Sequence, residues 1–236
     1  MLRRAKSEPG EDAGSVRIGE IRARPRTTPG EALQPPERGM IFGSVHAKRV
    51  MCGSMRIAVI GKGNVGGGLA ELWRTAGHEV QEIGKDGGDL SDSEVILVAL
   101  PSSAIADAFS RVTGYEGKVT IDASNALGGR NEEFESLAHE AKSIVAGPTA
   151  KAFNVNFAAA YDNIAEQPIR PSQAWCGEDE AREVTEQLIR DAGFEPAYAG
   201  GLDKARTLED AVAFVFAIRQ AAGDVVFYRF WKPGDL

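Results

Sequence analysis

Three glycines with the spacing of a phosphate-binding turn stand directly after a short β-branched run. The run covers residues 57–60, and the glycines are Gly61, Gly63 and Gly66. In a Gly-x-Gly-x-x-Gly turn the first glycine permits the tight turn and the second lets the backbone approach a pyrophosphate. The third lets a helix pack closely on the strand. This spacing predicts a dinucleotide-binding turn and, with it, redox chemistry.

A helical pattern follows the glycines and gives the turn its structural context. Apolar residues recur at helical spacing from Val65 to Ala76, so the order is strand, turn, helix. Free N–H groups and the positive end of the helix dipole would then face the phosphates. Lys62, Asn64 and Val65 therefore join the three glycines as candidate cofactor-binding residues.

The end of the second predicted strand, residues 79–83, sets the choice of cofactor. A basic residue there pairs with a 2′-phosphate, whereas an acidic residue binds a ribose 2′-hydroxyl. Lys85 favours NADP(H). Glu82 or Asp86 would instead bind the ribose of NAD, and Lys85 would then be a solvated turn residue.

Strands and helices alternate along residues 55–153, which predicts an α/β protein with a doubly wound, mostly parallel sheet. The connection between residues 83 and 94 is too short for a crossover helix and a further strand, since a crossover alone needs at least ~10–12 residues. We therefore expect the usual second helix and third strand to be missing, with a sheet order of 2-1-4-5-6 in conventional labels. The predicted strands are 57–60, 79–83, 94–100, 118–123 and 149–153, and the predicted helices are 104–112, capped by Ser102 or Ser103, and 131–145, capped by Gly147.

The C-terminal part predicts a small α/β extension. Strands are expected over residues 173–176 and 194–199, a helix over 178–192, and one long helix over 202–231. Apolar residues cover more than one stripe of that long helix. It either packs on its own sheet or uses the surplus face to form a homodimer.

Composition and charge exclude several function classes. The chain has a net charge of −7 and its acidic excess falls after residue 54, so nucleic acid is not an expected partner. No apolar run reaches the ~18–20 residues of a membrane span. Cys52 and Cys176 lie far apart and form no metal-binding spacing. These observations predict a cytoplasmic protein without a metal.

Five blocks of the sequence, in this order, resemble one family. They are the stretch MRIAVIGKGNVGGGLAELWRTAGHEV, then VILVALPSSAI, IDASNAL, AKAFNV and the segment from WCGEDEAREV to GLDKARTLED. The chain resembles the deazaflavin-dependent NADP oxidoreductases, the coenzyme F-420:NADP reductase family, over residues 55–211. The resemblance implies a Rossmann-like domain that binds NADP(H) and exchanges hydride with a deazaflavin or flavin-type acceptor. Family members keep the second helix and third strand, whose absence here would remove contacts to the adenine side.

Ligands of open α/β sheets bind beyond the carboxyl ends of the strands. This rule and the family motifs place further candidate residues around the nicotinamide: Leu100, Pro101, Ser102, Asn125 and Asn154. Lys151, Phe153 and Asn154 are the candidates for lining the site of the second cofactor. Each has a structural alternative. Ser102 suits a helix cap, Asn125 suits a turn and Phe153 suits a core.

Three segments organise the chain in this interpretation. Residues 1–54 form a disordered or artefactual extension, because prolines are scattered through it and no apolar period persists. Residues 55–160 form the Rossmann-like NADP-binding domain, and residues 161–236 form the C-terminal extension.

The predicted function is hydride transfer between NADP(H) and a deazaflavin or flavin, which needs no side-chain acid or base in line. No catalytic residue is assigned. One alternative is a non-catalytic NADP(H)-binding sensor. Another is an imine or hydroxy-acid reductase, which a long helix crossing a partner's cleft would favour.

Overall fold

Apolar runs form the central strands of a seven-stranded sheet in the computed structural model, which describes residues 53–234. The extension predicted over residues 1–54 lies outside the described residues, apart from Gly53 and Ser54. No helix within the described range is long and apolar enough to cross a membrane.

Parallel pairing dominates the sheet, as the alternation of strands and helices predicts. The strands are β1 Arg56–Ile60, β2 Glu79–Ile83, β3 Gly88–Asp89, β4 Val95–Val98, β5 Val112–Thr113, β6 Val119–Asp122, β7 Thr149–Lys151, β8 Ser172–Gly177 and β9 Glu195–Tyr198. The order in the sheet is β2-β1-β4-β6-β7-β8-β9, and only the β7–β8 pair is antiparallel. The helices are α1 Asn64–Ala76, α2 Ile105–Phe109, α3 Leu137–Val145, α4 Asp179–Asp191 and α5 Ala205–Ala222.

The sheet is trimmed on the β2 side, which confirms the prediction from the short connection. β2 is an edge strand of the large sheet. The chain between β2 and β4 contains only the two-residue strand β3, which pairs with β5 in a separate small parallel sheet, Gly88 opposite Val112. The second helix and third strand of a full doubly wound sheet are therefore replaced by this β3–β5 contact.

Alternation along β1 divides the core into two layers. Ile57 and Val59 pack with buried residues of α1 and α4 on one face. Ala58 and Ile60 pack with α2 and α3 on the other. Successive side chains of a strand point to opposite faces, so a central strand covered on both faces is apolar throughout.

One predicted helix, 131–145, is wrong in its first half. α3 begins at Leu137, because Ser136 caps it by accepting a hydrogen bond from the backbone N–H of His139. The helix ends in left-handed Ala146, with φ 55°, and not at Gly147 as predicted. Gly147 is instead a close-packing position, since a Cβ there would lie 2.1 Å from the carbonyl oxygen of Lys118.

The long C-terminal helix is present but shorter than the predicted 202–231. A 3-10 turn, Leu202–Lys204, precedes α5, and left-handed Gly223 ends it. Residues 224–230 belong to no helix or strand, and two hydrogen bonds hold them to the start of β8: the N–H of Ser172 donates to the carbonyl of Tyr228, and the N–H of Phe230 donates to the Ser172 hydroxyl. The apolar residues of this segment thus cover β8, and they do not continue the helix.

The C-terminal part extends the same sheet. β7 pairs with β8 across the predicted division at residue 160, with Lys151 opposite Cys176. β9 then pairs in parallel with β8. Backbone hydrogen bonds therefore join the two predicted segments 55–160 and 161–236.

Candidate functional site

A cavity of about 670 Å³ opens where β1, β2 and β4 end. Its size lies within the range of small-molecule sites, roughly 300–1,000 Å³. The lining residues are Ile60, Gly61, Lys62, Gly63, Ile83, Gly84, Lys85, Ala99, Leu100, Pro101, Ala104, Asp107, Ala108 and Arg111. The cavity thus lies where the sheet rule places a ligand, and it includes six of the predicted cofactor-binding residues.

Gly61 and Gly66 make the close contacts that their spacing predicts, and Gly63 lies in open space. Gly61 has φ 114°, and a Cβ there would lie 2.2 Å from the carbonyl oxygen of Ala99. At Gly66 a Cβ would lie 1.9 Å from the carbonyl oxygen of Gly61, so α1 packs directly on the turn. Gly63 has nothing within 4 Å of its Cβ position. A phosphate can therefore approach the backbone at Gly63.

The N-terminus of α1 has the features of an anion-binding helix end. Gly63 is its N-cap, no side chain caps it, and no acidic residue lies in its first turn. The first N–H groups of a helix have no intrahelical acceptor and carry a partial positive charge. Asn64 and Val65 occupy this first turn, beside exposed Gly63.

Positive charge gathers at the β2 side of the cavity. Lys62 and Lys85 both line it, and the Nζ of Lys62 lies 3.6 Å from the Cβ position of Gly84. Glu82, one of the two acidic alternatives for a ribose contact, forms an ion pair with Arg74 at 2.7 Å. Lys62 and Lys85 therefore face the cavity, whereas the Glu82 carboxylate is already bound to an arginine.

Ser102 does not cap a helix, which corrects one of the two interpretations of this residue. The predicted helix 104–112 is a 3-10 turn, Ser102–Ala104, followed by α2, and no side chain caps either. Ser102 is buried, and its hydroxyl lies 3.7 Å from the Cβ position of Gly128. Leu100 and Pro101 line the cavity before it.

Asn125 and Asn154 lie beyond β6 and β7 and bind each other. The Asn125 side chain donates to the carbonyl of Asn154 at 2.7 Å, and the Asn154 side chain donates to Oδ1 of Asn125 at 3.1 Å. Asn154 also donates to the carbonyl of Leu208 on α5 at 2.8 Å. The pair is not part of the cavity lining; it fastens two loops at the same edge of the sheet to α5.

Phe153 and Lys151 are fully buried. The Phe153 ring packs edge-to-face on Trp73 with centroids 5.7 Å apart, in the core. The Lys151 ammonium lies between Asp122, at 2.5 Å, and Glu209, at 3.0 Å. In this structure neither side chain lines the cavity.

The structure offers no activated nucleophile at the cavity. Burial raises the pKa of the Cys176 thiol to about 12, so the thiol stays protonated at neutral pH. His78 accepts from the N–H of Met55 and contacts Asp191, away from the cavity. No cluster of three His, Cys, Asp or Glu residues within 53–234 could hold a metal ion.

Two charged residues of the cavity lining were not predicted from the sequence. Asp107 and Arg111 form an ion pair at 2.5 Å one helical turn apart, and both line the cavity. The Asp-x-x-x-Arg spacing in the predicted helix 104–112 was a visible signal for the pair. Its position beside Lys85 depends on the β3–β5 contact, which no periodic pattern indicates.

Comparison with solved structures shows the fold. The chain is similar to a protein from Arthrobacter sp. FB24 described as an F-420-dependent NADP reductase, with TM-score 0.66 and 19% identity over 76% of this chain and 100% of that one. It is also similar to a reductive aminase from Aspergillus terreus, solved with NADPH and ethyl levulinate, and to Mycobacterium tuberculosis 3-hydroxyisobutyrate dehydrogenase. Both have TM-score 0.51, at 12% and 13% identity over 72% of this chain.

This chain spans 63% of the aminase and 62% of the dehydrogenase. No protein-family model matches the sequence, and no curated protein is similar to it by sequence. The similar structures include NADP-binding reductases, and the doubly wound fold predicted from the sequence is the one they share.

Proposed function

We propose that this protein is an NADP(H)-dependent oxidoreductase that transfers hydride between the nicotinamide and a deazaflavin or flavin-type acceptor. The observation that carries the proposal is the cavity at the ends of β1, β2 and β4, with the glycine turn and the uncapped N-terminus of α1 on one side of it. The nicotinamide supplies the hydride chemistry, and the protein supplies binding, orientation and exclusion of water.

The residues present fit the pyrophosphate of a dinucleotide. A Cβ at Gly63 would meet nothing within 4 Å, which leaves room for phosphate oxygens beside the turn. Backbone N–H groups at the start of α1 would bind those oxygens, and Lys62 would add charge.

The nucleoside parts would lie on either side of the turn. Lys85 and the apolar residues Ile83 and Ala108 would hold the adenosine side. Leu100 and Pro101 would support the nicotinamide side, towards the Asn125–Asn154 pair. This direction follows from the sheet rule, because the nicotinamide half binds beyond the strands on the far side of the switch point.

The choice of a deazaflavin or flavin as the acceptor is supported by the sequence motifs and by the similarity to the structure described as an F-420-dependent NADP reductase. An imine or hydroxy-acid reductase is the second candidate, because the reductive aminase and the dehydrogenase share the fold. A non-catalytic sensor is the third, since the trimmed sheet presents no separate substrate domain within residues 53–234.

The test is calorimetric titration of the full chain with NADPH and NADH, followed by turnover assays with a deazaflavin, a flavin and a cyclic imine as acceptors. We expect NADPH to bind more tightly than NADH, with turnover only when the deazaflavin or flavin is present. Imine reduction alone would support the second candidate, and binding without any turnover would support the sensor. No binding of either nucleotide would contradict the proposal.

We also propose that two copies of the chain associate through α5. Phe214 is 69% exposed on this helix, and Phe216 and Ile218 are also exposed. Exposed apolar patches of this kind commonly mark interfaces between copies. Analytical ultracentrifugation should give a dimer for the wild type and a monomer for Phe214→Glu; a monomeric wild type at micromolar concentration would contradict the dimer.

A further inference from the structure

Arg111 is fastened to the turn after β2 by backbone contacts. The N–H of Gly88 donates to the carbonyl of Arg111 at 3.2 Å. A Cβ at Gly87, which has φ 75°, would lie 1.8 Å from that same carbonyl oxygen. Because β3 pairs with β5, a residue 26 positions after Lys85 is held against the turn that contains Lys85.

The Arg111 side chain is oriented by two neighbours. Its Nη1 donates to the carbonyl of Lys85 at 3.1 Å, and its Nη2 donates to the Asp107 carboxylate at 2.6 and 2.5 Å. A guanidinium has five N–H donors in a planar fork, so these contacts orient the group and leave donors for a ligand.

The surroundings of Arg111 favour an anion. Three cationic side chains line this end of the cavity, Lys62, Lys85 and Arg111, against one carboxylate, Asp107. The protein as a whole has a net charge of −7. A local excess of positive charge in an acidic protein, at the end of the strand that selects between dinucleotides, fits a phosphate.

We propose that Arg111, together with Lys85, binds the 2′-phosphate of NADP(H) and takes over contacts that the missing second helix and third strand would supply. This inference rests on the proposed function. Arg111 is then a specificity-determining residue: it discriminates between the phosphorylated and the unphosphorylated nucleotide. Its planar fork can donate two parallel hydrogen bonds to two phosphate oxygens at once, which Lys85 alone cannot do.

The test compares Arg111→Met with a matched control, Arg190→Met, in the full chain. Arg190 forms the same ion pair one helical turn apart with Glu186 and has the same side-chain exposure as Arg111, 44%. Dissociation constants are measured for NADPH, NADH, 2′,5′-ADP and 5′-AMP. The unfolding temperature of each variant shows that the fold is kept.

We expect Arg111→Met to weaken binding of NADPH and 2′,5′-ADP by about tenfold to a hundredfold, the effect of losing a hydrogen bond to a charged group. Binding of NADH and 5′-AMP should change less than about twofold by the same reasoning, as should all binding to Arg190→Met. Arg111→Lys should be intermediate, because it keeps the charge and loses the fork.

Equal weakening of NADPH and NADH would overturn the inference, because Arg111 would then contact the adenine or hold the turn. Unchanged NADPH binding would overturn it as well. In both results the wild type still binds NADPH, and the proposed function stands. If the wild type binds neither nucleotide, the proposed function fails, and this inference fails with it.

Discussion

The ammonium of Lys151 on β7 lies 3.0 Å from Oε1 of Glu209 on α5, and both side chains are fully buried. Asp122 on β6 contacts the same ammonium, and Arg130 contacts Glu209 at 3.0 Å. Glu209 also accepts from the N–H of Leu137, at the start of α3. This network fastens α5 to the carboxyl ends of two central strands, next to the Asn125–Asn154 pair.

Lys151→Met is expected to lower the free energy of unfolding by about 3–5 kcal/mol, because it removes the cation that contacts the buried Asp122 carboxylate and leaves Glu209 with Arg130 alone. Chemical denaturation monitored by circular dichroism measures the change. The matched control is Arg206→Met, which removes an exposed ion pair with Asp210 on α5 and should cost less than about 1 kcal/mol. A Lys151→Met value within the control's range would show that the network adds nothing to stability.

Gly66→Ala is expected to destabilise the fold, since its Cβ would lie 1.9 Å from the carbonyl oxygen of Gly61. Backbone must move to relieve this overlap, and overpacking costs about 1–3 kcal/mol. Thermal unfolding measures the loss. The matched control is Gly67→Ala, because the atom nearest to the new Cβ would be 3.8 Å away. Gly77→Ser would not serve as a control, because Gly77 has φ 101°, a conformation that serine rarely adopts. Equal unfolding temperatures for the two variants would contradict the packing role of Gly66.

Gly63→Ala is expected to leave the fold intact and to weaken NADPH binding at least about tenfold. The backbone at Gly63 has φ −78°, which alanine adopts, and the Cβ would enter open space where the pyrophosphate has to lie. Calorimetric titration measures the binding, and thermal unfolding confirms the fold. If Gly63→Ala binds NADPH with the affinity of the wild type, the glycine turn does not bind the phosphates.

Lys85→Glu is expected to shift the preference from NADPH towards NADH. The carboxylate would repel a 2′-phosphate and could accept a hydrogen bond from a ribose 2′-hydroxyl. The ratio of the two dissociation constants is measured at low and at physiological salt, because screening weakens the repulsion. Lys232→Glu makes the same charge change outside the cavity lining. If the ratio of the NADPH and NADH dissociation constants is the same in Lys85→Glu and Lys232→Glu, Lys85 does not contact the 2′-phosphate.

Local signals were sufficient to predict the glycine turn between β1 and α1. The spacing of Gly61, Gly63 and Gly66 fixes which Cβ atoms would clash, and the predicted roles of Gly61 and Gly66 correspond to close contacts in the structure. Lys85 was placed at the cavity for the same reason, because it directly follows a strand whose bounds, Glu79–Ile83, are confirmed.

Tertiary contacts decided the features that the sequence did not reveal. Arg111 reaches Lys85 through two-residue strands, which are too short for any periodic signal. The apolar stretch 225–231 has a helix-like composition, but Gly223 ends α5 and β8 offers the stretch a partner. Phe153 follows the end of a strand, where ligand-binding residues are expected, but its ring packs against Trp73 in the core.

The two edges of the sheet bear on how copies of the chain can meet. On the edge strand β2, the Arg74 guanidinium donates a hydrogen bond to the carbonyl of Val80 at 3.2 Å. On the edge strand β9, Pro196 has no backbone N–H to donate. Exposed edges of this kind are poor templates for adding a strand from another molecule. Self-association by continuation of the sheet, the route that leads to fibrous aggregates, is therefore disfavoured at both ends, and assembly is left to the helical faces.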